Sequence, residues 1–296
     1  MGDPFEMARL RDQRILAAIA ALDAHGASRG ELPDDQPIFV CSVGWRSGST
    51  LLQRLLMTDP QVLVWGEPMD RIAVLDRLVD LVSGIGPDWP APDHYYSRRG
   101  PVDLTRHWVA NLAPDPADFR AGLRGLLDGW LAAPARRRGF ARWGVKEVRW
   151  SGDQARLLKW LYPDARFVLL VRHPVLAYLS VREWALSGGG DGLWIRLPDR
   201  HVGDLETFAR FWNALAVSWT AAATDLSAVV IRYEDMVAGR VDFAAVGASL
   251  GLSLAPETAL RARVGGSSAG MAISPEERDR VNALTAAGRR LFGYGE

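Results

Sequence analysis

The sequence predicts an α/β fold of three layers, with helices covering both faces of a central, mostly parallel sheet. Short apolar segments rich in β-branched residues alternate with segments of helical periodicity, which is typical of this architecture. The apolar segments are continuous rather than alternating, as expected for strands buried on both faces. Strands are predicted at 37–43, 62–65, 143–148, 166–172 and 228–233. Such a sheet binds ligands at the carboxyl ends of its strands, so the loops there are the expected site of function.

Helical spacing of apolar residues marks most of the intervening segments. Helices are predicted over 7–25, 50–57, 104–132, 175–185 and 204–223. Pro68 suits the first turn of a further helix that continues through Val82, because proline is tolerated where an N–H group would lack a partner anyway. Residues 26–36 are polar and contain Gly, Asp and Pro, so they are interpreted as a connector.

Composition excludes several classes of protein. The chain has 296 residues, is 48% hydrophobic and 24% charged, and has a formal net charge of zero. These values are typical of a globular domain and argue against a general nucleic-acid-binding protein, which usually has a basic excess. The single cysteine, Cys41, excludes an intramolecular disulfide framework and a cysteine-rich metal site. No apolar run reaches the length of about 18 residues that suggests a membrane span, and the start of the chain does not resemble a signal peptide. We expect a cytoplasmic protein.

A glycine-rich loop at residues 44–50 (Gly-Trp-Arg-Ser-Gly-Ser-Thr) joins the first predicted strand to a helix. A turn of this kind directs backbone N–H groups at an anion, aided by the positive end of the helix dipole. Its side chains add hydroxyl donors and a guanidinium that matches phosphate oxygens. The candidate phosphate-binding residues are Arg46, Ser47, Gly48, Ser49 and Thr50. The alternative is an ordinary strand–helix turn.

This loop differs from the usual loop of nucleoside-triphosphate-binding enzymes. That pattern has Gly-Lys before Ser or Thr, whereas this chain has Gly48-Ser49-Thr50. The positive charge that the lysine supplies in that pattern is supplied here by Arg46, within the loop. No strand ends in a convincing aspartate for magnesium, because Asp235 follows a Tyr-Glu pair. A loop that holds one phosphate without a metal therefore fits better than an ATPase.

The loop resembles the one with which sulfotransferases that use 3′-phosphoadenosine-5′-phosphosulfate (PAPS) hold the donor's 5′-phosphate. A second family element, a strand ending in Arg with Ser eight residues later, grips the 3′-phosphate; Arg172 and Ser180 occupy these positions. The Arg-Tyr-Glu-Asp segment at 232–235 resembles a third element, with Tyr233 near the nucleotide. The resemblance covers residues 37–236 and implies a P-loop core like that of nucleotide kinases, PAPS as donor, PAP (the desulfated nucleotide) as product, and no metal.

Each of these residues also has an ordinary structural interpretation. Arg172 could pair with a surface carboxylate, Ser180 could be a plain helix residue and Tyr233 could belong to the core. Each assignment is weak alone. Their occurrence in the right order makes the combined pattern much more specific.

Glu67 is the predicted general base. The Trp-Gly-Glu-Pro segment at 65–68 resembles the branch of the family that includes tyrosylprotein sulfotransferases and several bacterial enzymes, where a glutamate follows the phosphate loop. Apolar neighbours such as Trp65 and Met69 are expected around it. The alternative is a carboxylate that stabilises a helix N-terminus. His94 and His107 are rival bases.

Lys146, with Arg46, is predicted to stabilise the charge that develops on the leaving phosphate. The resemblance to tyrosylprotein sulfotransferases supports a lysine in this segment, while the alternative is a lysine paired with Glu147 or Glu67. In a late loop at 265–270, Ser267 and Ser268 are predicted to fold over the nucleotide.

We expect one sulfotransferase domain over residues 1–296, with 1–36 as an N-terminal helix and connector. Residues 83–142 are expected to form a mainly helical insertion on the acceptor side. The expected acceptor is a hydroxyl on a small molecule or a carrier-bound substrate; a peptide is equally compatible, and the sequence does not distinguish a phenolic, alkyl or amino acceptor atom. Two rival functions remain: a metal-dependent small-molecule kinase that uses Thr50 for magnesium, and a nucleotide-binding relative without activity.

Overall fold

The computed structural model describes residues 4–69, 72–86, 88–96, 105, 109–186, 196–197, 200–201, 204–261 and 272–295. Within these ranges the strands are β1 Ile38–Ser42, β2 Val62–Trp65, β3 Arg142–Glu147, β4 Arg166–Val171, β5 Arg196–Leu197, β6 Arg200–His201 and β7 Val229–Arg232. Five of them form one sheet in the order β2-β3-β1-β4-β7, while β5 and β6 form a separate antiparallel pair.

Every neighbouring pair in the five-stranded sheet is parallel. β1 lies at the centre, with Val40 opposite Lys146 on β3 and Ser42 opposite Leu170 on β4. All five residues of β1 are buried, as expected for a strand covered on both faces. The predicted α/β class and the predicted parallel sheet are confirmed.

Helices cover both faces of this sheet. They are α1 Pro4–Ala24, α2 Ser49–Leu56, α3 Val74–Ser83, α4 Pro116–Leu127, α5 Ala133–Arg137, α6 Gly152–Leu161, α7 Pro174–Leu186, α8 Leu205–Ala223, α9 Tyr233–Val237, α10 Phe243–Leu250, α11 Pro256–Arg261, α12 Pro275–Leu284 and α13 Ala286–Leu291. In the described part of the chain, no helix is both long enough and apolar enough to cross a bilayer.

Alternate side chains of β1 enter two separate cores. Phe39 and Cys41 face the larger core, which α1, α3, α6 and α8 cover. Ile38 and Val40 face the smaller one, which α2 and α10 help to form. This alternation follows from the two-residue period of a strand. Both faces of the central strand are therefore apolar, which leaves its carboxyl end as the place for polar chemistry.

Two helix predictions are wrong in their starting points. The helix after β2 begins at Val74, not at Pro68, and Ala73 before it has a left-handed φ of 46° that interrupts any earlier helical path. Ile72, which fits the apolar spacing of the predicted helix, is 55% exposed. Pro68 and its neighbours form a bend and turn instead.

The second error concerns the helix predicted from 104. It begins at Pro116, where the carboxylate of Asp115 accepts a hydrogen bond from the Ala117 N–H at 2.8 Å. An aspartate cap followed by proline is a standard helix start, so the sequence held the signal for the true boundary. A five-residue π-helical stretch at 128–132 then joins α4 to α5.

Candidate functional site

The glycine-rich loop joins β1 to α2 as predicted. Gly44, Arg46 and Gly48 have φ angles of 79°, 58° and 93°, so the loop passes three times through the left-handed region. Ser47 is fully buried, and its hydroxyl has no hydrogen-bond partner among the described residues. A buried hydroxyl without a partner costs free energy that a bound anion would recover. The loop and the N-terminus of α2 therefore suit a phosphate.

Gly48 lies directly against the ring of Tyr233, the first residue after β7. A Cβ atom built on Gly48 would lie 2.3 Å from the Tyr233 ring. The close approach therefore requires glycine for two reasons, its positive φ and the lack of space. It also fixes the aromatic ring beside the phosphate loop.

Alanine in place of Gly48 should destabilise the protein more than alanine at Gly239. Gly239 has a comparable φ of 68°, but a Cβ atom added to it would have no neighbour within 4 Å, so the change carries only the backbone cost of about 1–2 kcal/mol. Gly48→Ala adds a collision of the kind that costs about 1–3 kcal/mol. Urea unfolding measures both variants. Equal losses would contradict the contact. In a Tyr233→Ala background, which removes the ring, the further loss caused by Gly48→Ala should fall to the Gly239→Ala level.

Arg172, just after β4, and Ser180, in α7, contact this loop. The Nε of Arg46 donates a hydrogen bond to the Ser180 hydroxyl at 3.2 Å, across 134 residues of sequence. Arg172, which directly follows β4, donates to the Arg46 carbonyl at 2.7 Å. Its guanidinium lies over the Tyr233 ring, 4.6 Å from the centroid. The three sequence elements that end β1, β4 and β7 therefore form one continuous surface.

Glu67 and Lys146 form an ion pair at the ends of the two strands on the other side of β1. Glu67 follows β2, and Lys146 is the fifth residue of β3. The Lys146 ammonium donates to Oε1 of Glu67. Only 7% of the Lys146 side chain and 24% of the Glu67 side chain are exposed. The pair thus places a carboxylate and an ammonium together in a partly desolvated position.

Arg149 extends this pair into a chain of alternating charges. Its Nη2 atom lies 3.9 Å from Oε2 of Glu67 and 3.0 Å from Oε1 of Glu147. Its guanidinium also lies 5.8 Å from the ring centroid of Trp45 in the phosphate loop. The order is therefore Lys146, Glu67, Arg149, Glu147, with the last two almost completely buried.

The sequence of this chain was compared with protein-family models and with curated proteins. A model of the sulfotransferase family matches residues 37–255. The chain belongs to the sulfotransferase family. No curated protein matches the sequence.

Among solved structures, this sulfotransferase is 18% identical to a sulfotransferase from Alicyclobacillus acidocaldarius, covering 88% of this chain and 95% of that one, with a TM-score of 0.48. It is 18% identical to the sulfotransferase domain of the Synechococcus PCC 7002 olefin synthase, covering 90% and 99%, with a TM-score of 0.43. Sulfotransferase STF9 from Mycobacterium avium is 16% identical, with coverage of 98% and 83% and a TM-score of 0.44.

The sequence interpretation of this sulfotransferase named Glu147 only as a possible partner of Lys146 and did not consider Arg149. Burial raises the pKa of Glu147 to about 8, and the charge of Glu67 adds to the effect, while the Val148 N–H and Lys146 oppose it. Burial likewise lowers the pKa of Arg149 to about 10. The available signal was the charged run Lys-Glu-Val-Arg at the carboxyl end of an apolar strand, since buried charges there require partners.

The surroundings of Glu67 also differ from the expectation. Trp65 was predicted to lie beside it, but the Trp65 indole donates to the Leu131 carbonyl at 3.0 Å, on the side of the π-helical stretch. Glu67 instead lies between the cations Lys146 and Arg149. β2 ends at Trp65, so the alternation of a strand, which would place residues 65 and 67 on one face, does not extend to Glu67.

The remaining predicted residues fall in different places. The His94 ring packs edge-on against Trp89 with centroids 5.4 Å apart. His107, Ser267 and Ser268 lie outside the described residues. Among the residues that the structure describes, no group of three or more His, Cys, Asp or Glu side chains could share a metal ion.

Proposed function

We propose that this sulfotransferase moves a sulfuryl group from PAPS to a hydroxyl of a small-molecule or carrier-bound acceptor. The observation that carries the donor assignment is the contact of Arg172 and Ser180 with Arg46. A phosphate loop alone would suit any nucleotide. A second cation and hydroxyl fixed to the same loop favour a nucleotide with a further phosphate, as PAPS has on its 3′ position.

The position of Arg172 supports this role in the donor site. Its guanidinium is held over Tyr233, so the plane of the fork is oriented rather than free. The carbonyl of Arg172 accepts a hydrogen bond from the Trp212 indole at 3.1 Å, which fixes the backbone. An oriented guanidinium loses little side-chain entropy when it binds a phosphate.

The proposed chemistry uses the chain of charged side chains at the carboxyl ends of β2 and β3. Glu67 accepts the proton of the acceptor hydroxyl while that oxygen forms a bond to sulfur and the bond from sulfur to the bridging phosphate oxygen breaks. Lys146 and Arg46 stabilise the negative charge that appears on this oxygen. Lys146 pairs with Glu67 in the structure. Attraction of Lys146 to the donor would release the carboxylate, and Arg149 would keep it oriented.

Arg172→Ala should weaken PAP binding about 10- to 100-fold. A hydrogen bond to a charged group contributes about 1.5–3 kcal/mol, and 1.4 kcal/mol is tenfold in affinity. Calorimetric titration with PAP measures the loss. Arg166→Ala is the matched control, because Arg166 is an exposed arginine at the opposite end of the same strand. Equal affinity in wild type and Arg172→Ala would remove Arg172 from the donor site.

The residues that bind the acceptor, the metal requirement and the cellular location of the enzyme stay predictions. We propose that residues 83–142 supply the acceptor side of a single domain spanning 1–296, and that Ser267 and Ser268 close over the nucleotide. A metal-independent reaction and a cytoplasmic location likewise rest on the sequence and on the family.

A further inference from the structure

The last described residues of the chain return to the carboxyl ends of the strands. After α13 the chain turns at Gly293, whose φ is 67°, and buries Tyr294, which is 4% exposed. The Tyr294 N–H donates to the Arg289 carbonyl at 2.9 Å, and the Arg289 guanidinium donates to the Gly295 carbonyl. The tail is thus fixed by its own hydrogen bonds.

Tyr294 connects the loop that carries Arg172 to the start of α9, which carries Tyr233. Its hydroxyl donates to Oε2 of Glu234 at 2.8 Å, and Oε1 of the same carboxylate accepts the His173 N–H at 2.9 Å. The rings of His173 and Tyr294 meet edge-to-face, with centroids 5.2 Å apart. His173 directly follows Arg172, and Glu234 directly follows Tyr233. The Tyr294 side chain therefore holds the two segments at positions adjacent to their nucleotide-facing residues.

The helix before the tail is anchored to the same region by a second route. A Cβ on Gly288 of α13 would lie 2.8 Å from the Trp212 ring, so the two helices touch. The Gly288 N–H donates to the side chain of Asn213 at 2.7 Å. Trp212 is the residue whose indole holds the Arg172 carbonyl. The C-terminal segment therefore contacts the Arg172 loop from two sides.

This arrangement affects the electrostatic interaction between Glu234 and Arg172. Glu234 lies one residue from Tyr233, whose ring contacts the Arg172 guanidinium. A carboxylate free to reach this guanidinium would compete with a phosphate for it. Burial, with the nearby Glu234 charge, raises the pKa of Tyr294 well above its ordinary value, so the hydroxyl stays protonated and donates to Glu234. The guanidinium of Arg232 lies over the Tyr294 ring, 4.4 Å from its centroid.

We propose that Tyr294 is a positioning residue for the donor's 3′-phosphate. It ties Glu234 to the His173 backbone, which keeps the carboxylate away from Arg172 and fixes the loop after β4 to the start of α9. The inference rests on the proposed function, because it assigns Arg172 to that phosphate.

The test compares PAP with adenosine 5′-monophosphate, which lacks the 3′-phosphate, in calorimetric titrations with EDTA present. Tyr294→Phe keeps the ring and removes the hydroxyl. It should weaken PAP binding about threefold to tenfold, the effect of one hydrogen bond, and change the affinity for the monophosphate less than about twofold. Tyr294→Ala also removes the contact with His173 and should have the larger effect on PAP.

Tyr162→Phe is the matched control. Tyr162 is also buried and donates to a carboxylate, that of Asp128, at 2.8 Å, but it precedes β4 and lies away from the carboxyl ends of the strands. Tyr162→Phe should leave the ratio of the affinity for PAP to the affinity for adenosine 5′-monophosphate as it is in the wild-type protein. Because Tyr294→Phe is conservative, it remains interpretable if Tyr294→Ala folds poorly.

The possible results distinguish a failure of the positioning role of Tyr294 from a failure of the proposed donor. A selective loss of PAP affinity in Tyr294→Phe supports the positioning role. An equal loss for both nucleotides means a merely structural role and overturns it, as does an unchanged PAP affinity in both variants. A wild-type protein that binds the monophosphate as tightly as PAP would refute the proposed donor itself.

Discussion

Glutamine in place of Glu67 should lower turnover about 100- to 10,000-fold, the usual contribution of a general base, while PAP affinity changes less than about twofold. The amide has nearly the shape of the carboxylate but cannot accept the acceptor's proton. The structure makes the substitution informative, because Lys146 and Arg149 hold the side chain at the strand ends. The rate is measured as PAP formation from PAPS with a phenol or alcohol that the wild-type enzyme sulfates.

Glu206→Gln is the control for this change. Glu206 is an exposed carboxylate on α8 that pairs with Arg210 and Arg280, so it loses surface ion pairs of small energetic value. Turnover near the wild-type rate in Glu67→Gln would exclude Glu67 as the base. His94, or the buried Glu147, would then be the next candidates.

Lys146→Ala is the second change with a large expected effect, a loss of about 100- to 1,000-fold in kcat. This is the usual effect of removing one group that stabilises developing negative charge. The remaining cation in that proposed role is Arg46. Lys146→Arg should recover part of the rate, because it keeps the charge with a different geometry. The same PAP-formation assay and a PAP titration separate catalysis from binding.

The control for this lysine is Lys159→Ala on α6, a surface-side helix position. Thermal unfolding of each variant checks that the fold is retained, because the ammonium of Lys146 is buried against Glu67. A kcat close to wild type in Lys146→Ala would leave the ion pair with a structural role only.

Much of the fold followed from the sequence because its strands are continuous apolar segments. β2 spans the predicted residues 62–65, and β4 matches the predicted strand to within one residue. Helix boundaries were less predictable where apolar spacing extended beyond the real helix. Ile72 has helical spacing with Leu75 but is exposed, and the left-handed Ala73 between them is a conformation that spacing does not reveal.

The candidate site was predictable in its parts but not in its connections. The loops after β1, β4 and β7 were expected to meet because parallel strands end at the same edge of a sheet. The hydrogen bond from Arg172 to the Arg46 carbonyl shows that the loops after β1 and β4 touch. The approach of Arg149 to Glu67, and of Tyr294 to Glu234, depends on tertiary packing between distant segments that carry no motif.

The most direct test of the central claim is a calorimetric titration of the wild-type protein with PAP and, separately, with ATP, both in EDTA. The proposed 3′-phosphate site adds charge-assisted hydrogen bonds that ATP cannot make. We therefore expect PAP to bind at least about tenfold more tightly, the equivalent of about 1.4 kcal/mol. ATP binding as tightly as PAP, or PAP binding that requires added magnesium, would contradict the donor assignment and favour a metal-dependent kinase.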